Sequence, residues 1–336
     1  MAYAKEVLHR AEARLDEARR QNDLDCDRRI SAIYEKLPRL REIDRELRKT
    51  SAKVYAAAFR GSESPEQAMQ TLRQENLSLQ RERDWILESE NIDPEDLERE
   101  PVCKLCGGSG WRGAAMCECL RELCRQEQKK ELSTLLGAGR ESFDRFRLDY
   151  YPAEYDPDLG TSPREIMKKV YERAVRYAQS FAPGARSLLF SGATGLGKTF
   201  LSACIARTVA DRGYSVCYVS AEALFADFEQ QKFRPREGED VTRKYLACDL
   251  LILDDLGTEM TTQFTIAALY QVVNTRLMES RATIVSTNLP VGELDRRYSA
   301  QIASRLLGAY TLYKFSGKDI RMLQKSMARP TEDMNR

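Results

Sequence analysis

Apolar positions in the first hundred residues recur every three or four places on a charged background: Val7, Ala11, Leu15 and Ala18, then Ile30, Ile33, Leu37 and Leu40. That spacing lines one face of a helix, and Pro38 must kink or break the run. Gly61 reads as a helix C-terminal cap. Ser64, Pro65 and Gln67 then restart a helix, as N-cap, first helical residue and closing member of a capping box. The stripe continues through Met69, Leu72, Leu79 and Ile86 and stops near Pro94. The pattern predicts a helical hairpin or small bundle, serving either as a solvated scaffold or as a partner-binding surface. Residues 120–136, "LRELCRQEQKKELSTLL", carry the same period.

From about residue 185 the texture becomes short apolar runs separated by helical stretches, the α/β pattern. A strand over Leu188–Ser191 leads through a glycine-rich turn into a helix from about Thr199 to Ala210. A second buried strand covers Leu250–Leu253 in "CDLLILDDLGTE". A third lies in "RATIVSTNLP" and ends in polar Ser286, Thr287 and Asn288.

Length and charge narrow the class. A chain of 336 residues with 42% hydrophobic content supports two or three domains and at least one good core. The first residues lack a signal-peptide core, and no apolar run approaches the roughly 20 residues of a membrane span. The expectation is a soluble, cytoplasmic protein without membrane contact. A formal net charge of +1 gives no global attraction to nucleic acid, so any such contact must come from a local basic patch.

Five cysteines crowd residues 101–124: Cys103, Cys106, Cys117, Cys119 and Cys124, spaced C-x2-C-x10-C-x-C-x4-C. In a reducing compartment, clustered thiols are metal ligands more often than disulfides. Two chelating pairs joined by a loop can close a tetrahedral thiolate site, and zinc is its simplest occupant. The one histidine, His9, is far away in sequence, so the candidate ligands are Cys103, Cys106, Cys117 and Cys119. Cys124 lies in the helical stretch and is left as a spare thiol. Reduced thiols without metal and an iron–sulfur cluster remain alternatives. A thioredoxin-like redox pair is disfavoured because no strand precedes the C-x-x-C.

"GATGLGKT" stands between a strand and a helix, the setting a phosphate-binding loop requires. Gly192, Ala193, Thr194, Gly195, Leu196 and Gly197 would turn backbone amides toward the phosphates of ATP, with Lys198, Thr199 and Phe200 opening the helix. Lys198 is expected at the β- and γ-phosphates and Thr199 on Mg2+. Asp254 sits where a magnesium-organising carboxylate belongs, and Asp255 can orient the attacking water. A strand inserted between the two motif strands would set Asn288 beside the γ-phosphate, although an ordinary turn residue is the alternative.

Together, "GATGLGKT", "LLILDDLGTE", "IVSTNLP", "YSAQIASRLLG" and "GKDIR" resemble the AAA+ ATPases, within them the bacterial replicative helicase loaders of the DnaC and DnaI type, with IstB-like transposition helpers as close relatives. The resemblance implies an AAA+ P-loop core with a parallel sheet and little or no C-terminal lid, since 15 residues follow Arg321. It also makes Arg305 an arginine finger serving a neighbouring subunit and Arg321 a sensor arginine, with Arg296 and Arg297 less securely placed. "SFDRFRLDYYP", residues 142–152, is similar to the segment that lies near the nucleotide in such loaders. Many AAA+ proteins carry Glu at the position of Asp255, and the shorter side chain would hold water differently.

The implied organisation is a helical partner-binding region (1–100), a four-cysteine zinc module and connecting helix (101–136), a linker and helix (137–184), the ATPase domain (185–325) and a tail (326–336). The implied function is ATP-dependent loading of the replicative helicase onto single-stranded DNA by an ATP-dependent oligomer. Lys232, Arg234, Arg236, Arg243, Lys244 and Phe233 are the candidate DNA contacts, against a bland reading as a solvated loop. The rivals are a transposition helper that binds duplex DNA and a zinc-containing adaptor that holds nucleotide without turnover.

Overall fold

The computed structural model describes residues 3–49, 65–135, 141–235 and 240–327. The expected cap at Gly61, the capping box begun by Ser64, and Arg236 lie outside them. Among the described residues no helix is long and apolar enough to cross a membrane.

The chain opens on one 32-residue helix, α1 (Lys5–Lys36). Its start, through Glu12, groups with the residues from Leu120 onward, and its remainder belongs to a second compact unit, Ala13–Cys119. One uninterrupted helix thus contributes residues to both units. Val7, Ala11 and Leu15 of the predicted stripe are buried, whereas Ala18 is exposed.

In the Ala13–Cys119 unit, Pro38 breaks the helical run. It stands in the first turn of α2 (Pro38–Arg48), where its missing N–H costs no hydrogen bond. α3 (Pro65–Ser89) packs on α2. Leu40, Ile43, Ile86, Leu87 and Leu97 form the core, with Ile30, Ile33, Leu37 and Leu79 packed against it. Asp44 ties the helices together, accepting the Tyr34 hydroxyl at 2.6 Å and Arg83 Nε at 2.8 Å. A two-stranded antiparallel hairpin, β1 (Trp111–Arg112) and β2 (Ala115–Met116), follows.

The larger unit contains most of α4 (Glu118–Leu135), then α5 (Pro163–Ser180), whose N-cap Ser162 accepts the Glu165 amide. Next come β3 (Leu188–Ser191), α6 (Lys198–Asp211), β4 (Val216–Ser220), α7 (Ala221–Phe233), α8 (Arg243–Ala247) and β5 (Leu250–Leu256). α9 (Gln263–Met278), β6 (Ala282–Thr287), α10 (Leu294–Arg297), α11 (Ala300–Ala309), β7 (Thr311–Lys314) and the eight-residue α12 (Ile320–Met327) complete it.

The sheet runs in the order β4-β5-β6-β3-β7 with every pair parallel. Helices cover both faces, which is why the strands read as unbroken apolar runs rather than alternating ones. Leu188, Phe190, Leu250, Ile252 and Ile284 enter one core, and Leu189, Leu251, Leu253 and Val285 the other. β6 lies between β5 and β3, so the polar end of β6 is inserted between the acidic strand and the glycine-rich loop.

Two buried polar side chains hold this unit together, and neither stood out in the sequence. Arg276 is completely buried, with no carboxylate partner among the described residues. It donates to the carbonyls of Tyr245 at 2.7 Å and Cys248 at 3.1 Å, and to the Thr283 hydroxyl at 2.9 Å, which meets the need of a buried cation for hydrogen bonds. Gln128 of α4 donates to Tyr214 O and accepts the Val216 amide, both at 2.9 Å, along edge strand β4.

Candidate nucleotide cleft and cysteine cage

A cleft of about 620 Å³ opens at the C-terminal ends of β3, β5 and β6. Its floor is the glycine-rich loop, where Thr194, Gly195, Leu196, Gly197, Lys198, Thr199 and Phe200 all line the space. Gly195 has φ +75°, and a Cβ there would come within 2.1 Å of an Asp319 carboxylate oxygen, so the loop accepts no larger residue at that point. Gly192, φ +157°, is likewise closed by Phe315, whose carbonyl oxygen would stand 2.6 Å from an added Cβ. Ala193 contributes its carbonyl, which with that of Gly192 accepts Lys198 Nζ at 2.7 Å. Burial lowers the Lys198 pKa, against the opposite pull of Asp255 and Asp254.

The acidic end of β5 faces this lysine. A register shift between Leu253 and Leu256 carries the strand past its expected end, and Asp255 adopts φ +55°. Such a backbone is strained for a residue other than glycine and turns the Asp255 side chain toward the cleft. Desolvation by the cleft walls and the charge of Asp254 raise the Asp255 carboxyl above its ordinary value. Asp254 is buried and held by the hydroxyls of Tyr218, at 2.6 Å, and Ser286. Asn288 also lines the cleft, and its buried Oδ1 has no hydrogen-bond partner among the described residues.

The opposite walls come from the segments flanking the sheet. Phe146 stacks on Tyr171 with ring centroids 5.1 Å apart and lies 6.2 Å from Phe200, while the Tyr151 hydroxyl donates to Leu196 O at 2.9 Å. The 142–152 segment therefore braces the phosphate loop. Ile320 donates its amide to Gly195 O at 2.9 Å, which brings Arg321 to the rim of the same cleft.

In the other unit, the Sγ atoms of Cys103, Cys106, Cys117 and Cys119 all lie within 4.8 Å of one another. Cys103 and Cys117 are 3.9 Å apart and Cys106 and Cys119 3.5 Å. Tetrahedral zinc with Zn–S bonds of about 2.3 Å requires sulfurs about 3.8 Å apart. The four thiols therefore fit the ion. Desolvation would push the Cys106 thiol up, but the Gly110 amide, 3.3 Å from its sulfur, and the neighbouring thiols bring it down to about 6. Cys124 is no member of this cage. It is fully buried on α4, and burial raises its pKa to about 11.

Comparison with known proteins bears on the cleft. The family described as IstB-like ATP binding protein matches residues 167–327. The replicative helicase loader DnaC of Buchnera aphidicola subsp. Acyrthosiphon pisum is 24% identical over 172 residues, covering 50% of this chain and 66% of its own length. DnaC of Escherichia coli K12 is 25% identical over 135 residues, covering 40% of this chain and 55% of its own. The chain thus spans under two thirds of the length of these relatives. A crystal structure of DnaI superposes with a TM-score of 0.44 at 23% identity, covering 56% of this chain and 93% of that one. Residues 167–327 are thus similar to the DnaC/IstB-like ATPases, and their five-stranded parallel sheet flanked by helices has the α/β arrangement of an AAA+ P-loop fold.

Within the AAA+ domain, Arg305 does not line the cleft. It lies on α11, with Nε on Asn274 Oδ1 at 3.0 Å, an Nη on the Tyr270 hydroxyl at 2.9 Å, and its guanidinium 4.7 Å above the Tyr270 ring. Arg297 donates to Glu259 O at 2.7 Å, while the buried Glu259 carboxylate accepts the Gly257 amide and the Tyr298 hydroxyl. The turn after the acidic pair is thereby tied to α10.

The basic segment divides. Lys244 is paired with Asp227 at 3.0 Å and lies 4.9 Å from the Tyr245 ring, so its charge already has a partner within the fold. Lys232 covers the rings of Phe233 and Phe264, and Phe233 is 63% exposed. Arg234 and Arg243 are exposed.

Proposed function

We propose that this protein is an ATP-dependent loader of the replicative DNA helicase onto single-stranded DNA, acting in the cytoplasm, with ATP binding and hydrolysis as the assembly and release switch. The observation that carries the reading is the convergence of Lys198, Asp254, Asp255, Asn288 and Arg321 on one cleft of an AAA+ domain. Sequence similarity to the DnaC loaders supports the biological setting.

On this reading Lys198 exchanges its two loop carbonyls for the β- and γ-phosphates, and the loop amides from Gly192 to Gly197 take the remaining oxygens. Thr199 and Asp254 are the oxygen ligands for magnesium, which when bound neutralises charge on the phosphate oxygens. Asp255 orients the attacking water and Asn288 offers it the unpartnered Oδ1. Arg321 acts on the nucleotide of its own chain. Arg305 acts on that of a neighbouring copy, so hydrolysis depends on self-assembly.

Residues Ala13–Cys119 serve as the helicase-gripping arm, folded around zinc held by Cys103, Cys106, Cys117 and Cys119. Lys232, Phe233, Arg234 and Arg243 track single-stranded DNA, with Arg236 assigned the same task. The test is the mass of complexes formed when the full chain is mixed with its replicative helicase, with and without ATP. A complex that persists with Lys198→Ala but dissolves with native chain as ATP is consumed supports the loader. No complex under any nucleotide condition overturns it, and cooperative binding to duplex DNA would then assign the transposition-helper role.

A further inference from the structure

We infer that Tyr218 and Ser286 are positioning residues that fix the Asp254 carboxylate as a magnesium ligand before nucleotide arrives; the inference rests on the reading of the cleft as an ATP–magnesium site. Asp254 is 5% exposed, near the C-terminal end of β5. Each of its oxygens accepts one hydroxyl: Tyr218 at 2.6 Å on Oδ2, and Ser286 on Oδ1. An ionised carboxylate has about two acceptor directions per oxygen. One direction on each oxygen is therefore occupied by protein, and one remains for the ion or its water shell.

The two donors reach Asp254 from opposite sides. β4 and β6 flank β5, and they carry Tyr218 and Ser286 respectively. The Ser286 hydroxyl also accepts the Asp255 amide at 3.0 Å, so one side chain fixes both acids. A phenol 36 residues away in sequence thus sets the direction in which Asp254 presents its lone pairs.

Groups that orient a metal ligand typically contribute about 10–100-fold to metal affinity. The experiment uses the full chain and a fluorescent ATP analogue, with equilibrium binding measured in EDTA and across a Mg2+ titration. Tyr218→Phe keeps the ring and removes the hydroxyl. The expected result is unchanged affinity in EDTA and about a tenfold rise in the Mg2+ concentration at half-maximal enhancement. Ser286→Ala, a second variant of different size and strand, should shift the curve in the same direction, and Asp254→Asn should abolish the enhancement. An unmoved Mg2+ curve in both hydroxyl variants, with enhancement lost in Asp254→Asn, overturns the positioning role and leaves the ATP–magnesium reading standing. An equal loss in EDTA and in Mg2+ would make the hydroxyls merely structural and also overturn it. Native protein without Mg2+-dependent binding would sink the underlying reading, and this inference with it.

Discussion

The nucleotide cleft and the cysteine cage solve the same problem, holding charged groups close together, in opposite ways. In the cleft the lysine, the buried acid and the loop already have protein partners: Lys198 its two carbonyls, Asp254 its two hydroxyls, and the glycine-rich loop the braces from Tyr151 and Ile320. Two helix-covered cores, one on each face of the sheet, support it. The cage is built from short loops, a hairpin of two-residue strands and the first turn of α4, with four thiols facing one another. The first is pre-formed by packing and hydrogen bonds. The second depends on the ion that would neutralise its thiolates.

The largest expected effect tests that contrast directly. Structural zinc sites of this type carry apparent binding free energies of about 10–16 kcal/mol. Chelation, or Cys106→Ser, should make residues 101–119 protease-sensitive while nucleotide binding persists. Simultaneous loss of both in a proteolysis and binding assay would break the comparison by making the cleft depend on the cage.

Next in size is Arg305→Ala. Loss of an arginine finger costs about a thousandfold or more in turnover. Steady-state hydrolysis of the assembled form should fall by that order, while nucleotide affinity of the isolated chain stays constant. A parallel fall in affinity would place Arg305 inside its own cleft.

Arg276→Met asks how far the cleft's rigidity derives from its foundations. The change leaves buried carbonyls without a donor, at about 1–3 kcal/mol each. Denaturant midpoints should show a loss of about 3 kcal/mol or more. A midpoint unchanged from native would mean that the Arg276 network contributes nothing net.

The smallest effect has the opposite sign. A carboxyl with a raised folded-state pKa disfavours folding once it ionises, so Asp255→Asn should abolish hydrolysis yet stabilise the ligand-free chain. The gain should be a rise in Tm of about 1 °C at neutral pH, vanishing as the pH falls below the ordinary carboxylate range. Melting curves at several pH values check this, and a stability loss at neutral pH would contradict the electrostatic account.

Sequence spacing was informative where chemistry is local. The glycine-rich turn, the paired acids and the chelating cysteines each lie within one short stretch, so residue type and spacing together name the chemistry. The insertion of β6 between β5 and β3 was also legible, because "IVSTNLP" is an apolar run with a polar end. What stayed hidden joins residues distant along the chain. Tyr218 to Asp254, Glu259 to Tyr298, Arg276 to Cys248 and Gln128 to Val216 are separated by 36, 39, 28 and 88 residues. A tyrosine inside a strand carries no sign of which hydroxyl partner awaits it. The pairing of Lys244 was hidden for the same reason, since its partner Asp227 lies on the preceding helix. The division of α1 between units was invisible because helical period does not report what a helix face packs against.

Gln128 has a consequence for the chain's behaviour at high concentration. A parallel sheet ends in strands whose backbone groups invite another strand to dock, the route to aggregation. With one amide side chain Gln128 imitates such a strand, occupying Tyr214 O and the Val216 amide at the β4 border. The opposite border, β7, is four residues long. Both rims of the sheet thus offer little to a stranger's backbone, a safeguard for a fold whose slow parallel pairing leaves it vulnerable while it is being made.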